Sequence, residues 1–404
     1  MFSRQKTQKM FNRLLNIPTY LNLTKIGIVE LIFSFTLLLS GYRLSNIPMT
    51  IISWGILILI VFFRERKINI WDFKPLSIFI IYWIIHELFI ILVDNLNANL
   101  NLYVEQSILF ISFYFLYPSL NLEKLRGSLN WVSLISIAGL LYQWGIITSG
   151  GSVHPLEIPG LSMSDYRLET LSFRPSSFFM EPAAYVAFMI CPLALALIDK
   201  KYSWAIILIL SMFLTTSTTG LVLSFIMLGM SLLSKRLNRA SALALIIIGL
   251  GLYYALTHFD AFERGVEKYE NTEIETTVRL SQGPRIVSSM EPYEYFFGVP
   301  YCSVYSYCKD RNVKGVIYYG KYVYLSSFWM LLLRFGFAGL ILYFYIYYKI
   351  IRTSRLTIPL TTCLFAVMFS SSYTIGSTFI FTLLFLLTIC KYEDNILPDL
   401  YEEY

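Results

Sequence analysis

Residues 323–348 read VYLSSFWMLLLRFGFAGLILYFYIYY and carry a single charge, Arg334. About twenty apolar residues in a helix span the roughly 30 Å hydrocarbon core of a bilayer. This stretch is therefore expected to cross a membrane as one α-helix. An arginine so deep in such a span must face a cavity or a carboxylate, unless the span begins lower than the apolar run suggests.

The same pattern recurs along the whole chain. Apolar runs bounded by charge fall at 25–41, 47–63, 76–93, 102–120, 129–147, 181–198, 203–216, 218–234, 240–258, 323–348, 358–374 and 376–390. Two long apolar regions are split in this reading, at the polar knots Thr215–Gly220 and Ser370–Thr374. Hydrophobic residues make up 56% of the 404, charged residues 14%, and mean hydropathy is +0.60. A soluble domain carries about a quarter charged residues. The expected class is an all-α polytopic membrane protein of about 12 transmembrane helices, a single integral membrane domain over 1–404. The N-terminus is basic, but no short apolar core with a cleavage site follows it.

Placing the N-terminus in the cytoplasm puts 20 of the 32 lysines and arginines on that side, in the N-terminal segment and the short loops. The short outer loops hold only Arg43. This agrees with the positive-inside rule and places both termini in the cytoplasm. Two long outer loops remain, 148–180 and 259–322. The second balances eight cations against nine acids, so it reads as a solvated cap. No basic stripe suggests nucleic acid, and no internal repeat is visible.

The first loop ends in Phe173-Arg174-Pro175-Ser176-Ser177-Phe178-Phe179-Met180-Glu181-Pro182. An arginine and a glutamate at a membrane edge suggest a binding or catalytic site: Arg174 for an anionic ligand, Glu181 to orient it or accept a proton. The structural alternative makes Glu181 the acidic start of a helix whose first residue is Pro182, with Arg174 reaching to the headgroups. Arg279 and Arg285 flank Gly283-Pro284, which reads as a turn able to aim both at one ligand. Arg167 is a weaker candidate of the same kind, and Arg334 a candidate for the same cavity. His258, at the mouth of the second loop, is a candidate base. The three histidines are scattered without metal-site spacing, so no metal and no cofactor are expected. Cys302 and Cys308 share the outer loop, and their spacing leaves a disulfide and two thiols equally open. No nucleotide-binding or serine-hydrolase pattern appears.

The Arg174–Pro182 stretch resembles the outer-loop motif of polysaccharide-repeat polymerases of the O-antigen polymerase (Wzy) type. Leu214–Gly220 (LTTSTTG) is similar to the Thr/Ser-Gly turn of those proteins and of the related O-antigen ligases. Phe297-Gly298-Val299-Pro300 resembles a glycine element late in their large loop, with proline where glycine is usual. Tyr324–Gly339 looks like their post-loop span. The order and spacing match from about residue 130 to 390.

The resemblance implies a GT-C-like helical fold in the bacterial inner membrane, with the active site facing the periplasm. It implies inverting transfer between two undecaprenyl-pyrophosphate-linked oligosaccharides, a donor and an acceptor, for an O-antigen of lipopolysaccharide or a capsule. A chain-length regulator protein would be a further partner. Arginines could stabilise the pyrophosphate leaving group without a metal. The ligases use a histidine in the large loop, whereas residues 259–322 contain none, which favours polymerase over ligase. A lipid-linked oligosaccharide flippase is the competing class. It also has about twelve spans, but has little use for so long an outer loop.

Overall fold

The structure is a computed structural model that describes residues 17–64, 69–93, 100–151, 156–163, 174–233, 281–299, 303–318, 323, 325–370 and 376–401. It is mostly helical, with few strands. In chain order the elements are α1 (Ile28–Phe35), β1 (Tyr42–Leu44), β2 (Ile47–Pro48), α2 (Met49–Arg64), α3 (Lys74–Val93), α4 (Leu100–Ser119) and α5 (Leu122–Thr148). There follow β3 (Ser162–Met163), α6 (Pro182–Ile198), α7 (Tyr202–Leu214), α8 (Thr218–Leu233), α9 (Pro292–Phe297) and α10 (Val304–Asp310). The last are α11 (Ser327–Thr353), α12 (Ile358–Ser370) and α13 (Ser377–Tyr401). Residues 281–287 are also helical.

Among the described residues, three helices are long and apolar enough to cross a membrane: Lys74–Leu92, Leu122–Thr148 and Ser327–Thr353. Four more are apolar but shorter. The apolar runs from 47–63 to 218–234, and from 323–348 to 376–390, each fall on a helix. The run 240–258 lies outside the described residues.

The first run behaves differently from expectation. Residues 25–41 do not form one helix: α1 stops after eight residues, about 12 Å of rise. Ser34 Oγ donates to Glu30 O and Thr36 Oγ1 to Phe33 O, both at 2.7 Å, and a 3-10 turn over Leu38–Gly41 follows. Hydroxyls that bond back to the preceding turn compete with helix propagation. Arg43, read as a simple loop cation, sits instead in a small antiparallel sheet of order β2-β1-β3, pairing with Pro48 on one side and Ser162 on the other.

The described chain divides into two compact units. In the first (1–66 and 115–215), α5 packs against α1, α6 and α7. Asn121 caps α5, its side chain accepting from Glu123 N and Lys124 N. This cap starts the helix seven residues before the apolar run at 129. The extension puts Arg126 against Asp199 at 2.9 Å, where Asn130 bridges Leu21 O (2.6 Å) and Trp204 Nε1 (2.9 Å). Burial raises the Asp199 carboxyl above its ordinary range, although Arg126 and Lys201 pull the other way. Helix α6 is apolar on all sides and is buried from Tyr185 to Leu197, as such a helix must be.

The second unit (67–114 and 216–404) is organised on α11, which packs against α3, α9, α12 and α13. Its loop portion has a core of its own, built from Ile286, Met290, Val299, Val304, Tyr307 and Cys308 with Leu333 of α11. The described part of the second loop is therefore folded around its own core. Cys308 is a free, buried thiol, which burial pushes up to about 12. Cys302 lies outside the described residues. Gly283-Pro284 does not form the expected turn but belongs to the helical residues 281–287. The Trp329 ring packs where a Gly283 side chain would go, so this glycine serves close packing.

Candidate functional site

The motif at 174–182 belongs to the first unit and is built around one buried amide. Gln143, fully buried in α5, accepts at Oε1 from Ser176 N (3.0 Å) and Ser177 N (2.8 Å). Ser177 adopts a positive φ of 57°, and Ser176 Oγ donates to Phe179 O at 2.8 Å, closing a tight turn. Gly139 of α5 makes room for it: a Cβ there would come within 2.5 Å of Ser177 Oγ. Phe179, 1% exposed, packs edge-on against Tyr185 and also contacts Phe188.

This turn fixes the backbone between the two half-buried ionisable residues, Arg174 and Glu181. Glu181 occupies the N-cap position of α6 with Pro182 next, and its carbonyl accepts from Ala184 N and Tyr185 N. Its carboxylate makes no cap bond to the helix. Glu181 thus stands where the structural alternative placed it, at the acidic start of a helix whose first residue is Pro182. Gln143→Leu should leave two adjacent buried amides without an acceptor, at about 1–3 kcal/mol each. A thermal scan of the detergent-solubilised variant should show a clear drop in midpoint. An unchanged midpoint would mean that the turn does not depend on Gln143.

The remaining candidates distribute as follows. Arg167, Arg279 and His258 lie outside the described residues. Arg285, in the second unit, donates from Nη1 to Gly315 O at 2.8 Å and ties residues 281–287 to the turn at Gly315. Arg334, also in the second unit, is paired. Its Nε (3.2 Å) and Nη2 (2.6 Å) both bind Oε1 of Glu87 from α3. Glu87 is 4% exposed and His86 6%. Among the described residues, Glu87 Oε2 and His86 Nδ1 have no hydrogen-bond partner. The His86 ring stacks on Tyr82 and packs against Phe335.

Sequence reasoning placed Arg334 in a span with a carboxylate as one possible partner, but did not find Glu87. A signal existed, because both are ionisable residues about seven positions from one end of an apolar helix.

Beside this pair α11 is broken. Gly336 has φ 61° and ψ −169°, and Gly298, at the end of α9, has φ 87° and ψ 171°. Both lie in backbone regions that essentially only glycine occupies. The two segments interlock: a Cβ on Gly336 would strike Phe296 O, and one on Gly298 would strike Arg334 O. Val299 N donates to Leu333 O (2.8 Å), while the Tyr82 hydroxyl donates to Phe335 O (2.7 Å) and meets the Gly339 amide. Leu333 O and Phe335 O, two carbonyls at the break, thus find donors inside the protein, as such groups must at membrane depth.

In the cap, Glu294 is fully buried yet well held. It accepts from Tyr307 Oη (3.0 Å), Glu291 N (2.7 Å) and Arg311 Nη2 (3.3 Å). Burial foremost pushes the Tyr307 hydroxyl up to about 12. Among the described residues, no cluster of three or more histidine, cysteine, aspartate or glutamate side chains could hold a metal ion. No protein-family model matches the chain, and no curated protein or solved structure is significantly similar to it.

Proposed function

We propose that this chain is a membrane-embedded glycosyltransferase that joins undecaprenyl-pyrophosphate-linked repeat units into a polysaccharide on the outer face of a bacterial inner membrane. The carrying observation is the Gln143-pinned turn, which holds Arg174 and Glu181 on a rigid backbone at the start of a buried apolar helix. In this reading the chain crosses the membrane about twelve times in a GT-C-like arrangement, with both termini in the cytoplasm.

The acceptor hydroxyl oxygen attacks the anomeric carbon of the donor glycan as the bond to pyrophosphate breaks, with inversion. Glu181, or His258, takes the hydroxyl proton. Arg174 stabilises charge developing on the departing pyrophosphate, with Arg167 as a further anion-binding group. Arg334 is a less direct participant here, because Glu87 already neutralises it. That buried intramembrane pair is also the observation that favours transport, since such pairs mark ion and substrate pathways.

Purified protein incubated with lipid-pyrophosphate repeat units separates the readings. Lengthened lipid-linked glycan is expected, and its absence with a verified substrate would sink the polymerase. Arg174→Ala should slow lengthening by about 10²-fold or more. Glu181→Ala should do the same if Glu181 is the base. Wild-type rates in both variants, at equal protein levels, would remove the motif from the chemistry.

A further inference from the structure

We propose that α9 lies within the acyl region of one membrane leaflet, with Tyr293, Phe296 and Phe297 against lipid chains. Two independent observations lead there. The first is the inverted polarity of the helix. Tyr293, Phe296 and Phe297, at positions i, i+3 and i+4, form one exposed face at 44%, 54% and 52% exposure. The carboxylate of the same helix, Glu294, is turned inward at 0% exposure onto Tyr307 and Arg311. Tyr295 packs against the core of the cap. A short helix at an aqueous surface buries its aromatics and solvates its glutamate. This one turns three aromatics outward and its in-helix glutamate inward, while Glu291 at its N-cap stays 45% exposed beside Arg311.

The second observation is depth. Val299 and Gly298, directly after α9, are bonded to or interlocked with Leu333–Gly336 of α11. That level coincides with the Arg334–Glu87 pair. Glu87 follows Lys74 by thirteen residues in α3, and Arg334 precedes Lys349 by fifteen in α11. At 1.5 Å per residue the first is a rise of about 20 Å, and the unbroken part of α11 from Gly336 to Lys349 also rises about 20 Å. With both lysines at one boundary of a core about 30 Å thick, the pair sits about 10 Å beneath the other boundary. Helix α9 is tied to that level. Amphipathic helices that lie in an interface bury their apolar face about 5–10 Å deep. The neighbouring turn of α3 is exposed through Ile84, Ile85, Leu88 and Phe89, side chains suited to the same surroundings.

The inference depends on the membrane placement of α3 and α11 and not on glycosyl transfer. The test uses the full chain with Cys302→Ser and Phe296→Cys, labelled with a nitroxide and reconstituted into phosphatidylethanolamine–phosphatidylglycerol vesicles. Lys314→Cys, on the exposed surface of the cap, is the aqueous reference. Cys308 is buried and should not label. At position 296, collision with oxygen should exceed collision with a water-soluble nickel chelate, the order reversing at 314. Nickel in excess at 296 would overturn the proposal by placing α9 in water. Shielding from both reagents would overturn it in favour of a protein-covered face, such as a contact with a second copy. Tyr293→Cys reports on the same face if the 296 variant does not accumulate.

Discussion

Arg334→Ala is expected to destabilise the purified protein by about 3–5 kcal/mol, the cost of removing one partner from a buried ion pair. The size follows from what is left behind. The Glu87 side chain is 5% exposed, and its Oε2 has no donor among the described residues. Both bonds from Arg334 converge on Oε1, so the substitution strips the carboxylate of the donors seen there. Its charge is then left buried without the counter-charge that Arg334 supplies. Thermal or chemical unfolding in detergent would show a large loss for Arg334→Ala, and a smaller one for Arg334→Lys, which keeps the charge but not the fork. The double variant Arg334→Leu/Glu87→Leu should regain most of the stability, because an apolar pair leaves no charge unpaired. If it is as unstable as the single variant, the loss comes from packing on Phe335, over which the guanidinium sits at 5.2 Å, and not from charge.

Gly336→Ala and Gly298→Ala should each cost more than about 3 kcal/mol. A side chain in these backbone regions costs of order 1–3 kcal/mol alone. Here each new methyl also meets a backbone carbonyl oxygen, Phe296 O or Arg334 O, that no rotamer change can move aside. Either α9 must leave α11 or the break must shift. Gly55→Ala is the matched control: it lies within α2, and a Cβ there meets nothing within 4 Å. The control should extract from membranes as a monodisperse species, whereas the two test variants should aggregate or melt early. Wild-type behaviour for Gly336→Ala would mean that the break in α11 is not required.

The helical pattern was legible because it is local. A long apolar run in a chain this poor in charge has few alternatives to a helix, and the runs predicted most of the described helices. The misses have local causes of another sort. The run at 25–41 holds Ser34 and Thr36, whose hydroxyls bond back to the preceding turn where α1 stops. The reading of Gly283-Pro284 as a turn gave no weight to a glycine chosen to admit Trp329. In the candidate sites, the ionisable residues were visible but their partners were not. Gln143 is an ordinary polar residue within an apolar run, and nothing in its neighbours says that it will hold Ser176 and Ser177. Glu87 and Arg334 are 247 positions apart, beyond any periodicity. Gly298 and Gly336 each stood out in the sequence, but their mutual contact is a property of the fold.

The distance along the chain between Glu87 and Arg334 also bears on how the protein is made. With 247 residues between them and synthesis at about 5–20 residues per second, Glu87 enters the bilayer some 12–50 s before its counter-charge exists. During that interval the carboxylate has no counter-charge from α11. Arg334 then arrives in a segment that has α3 as one of its packing neighbours. The ion pair thus serves as a check on assembly: α11 cannot be stably seated until the early helices are already in place.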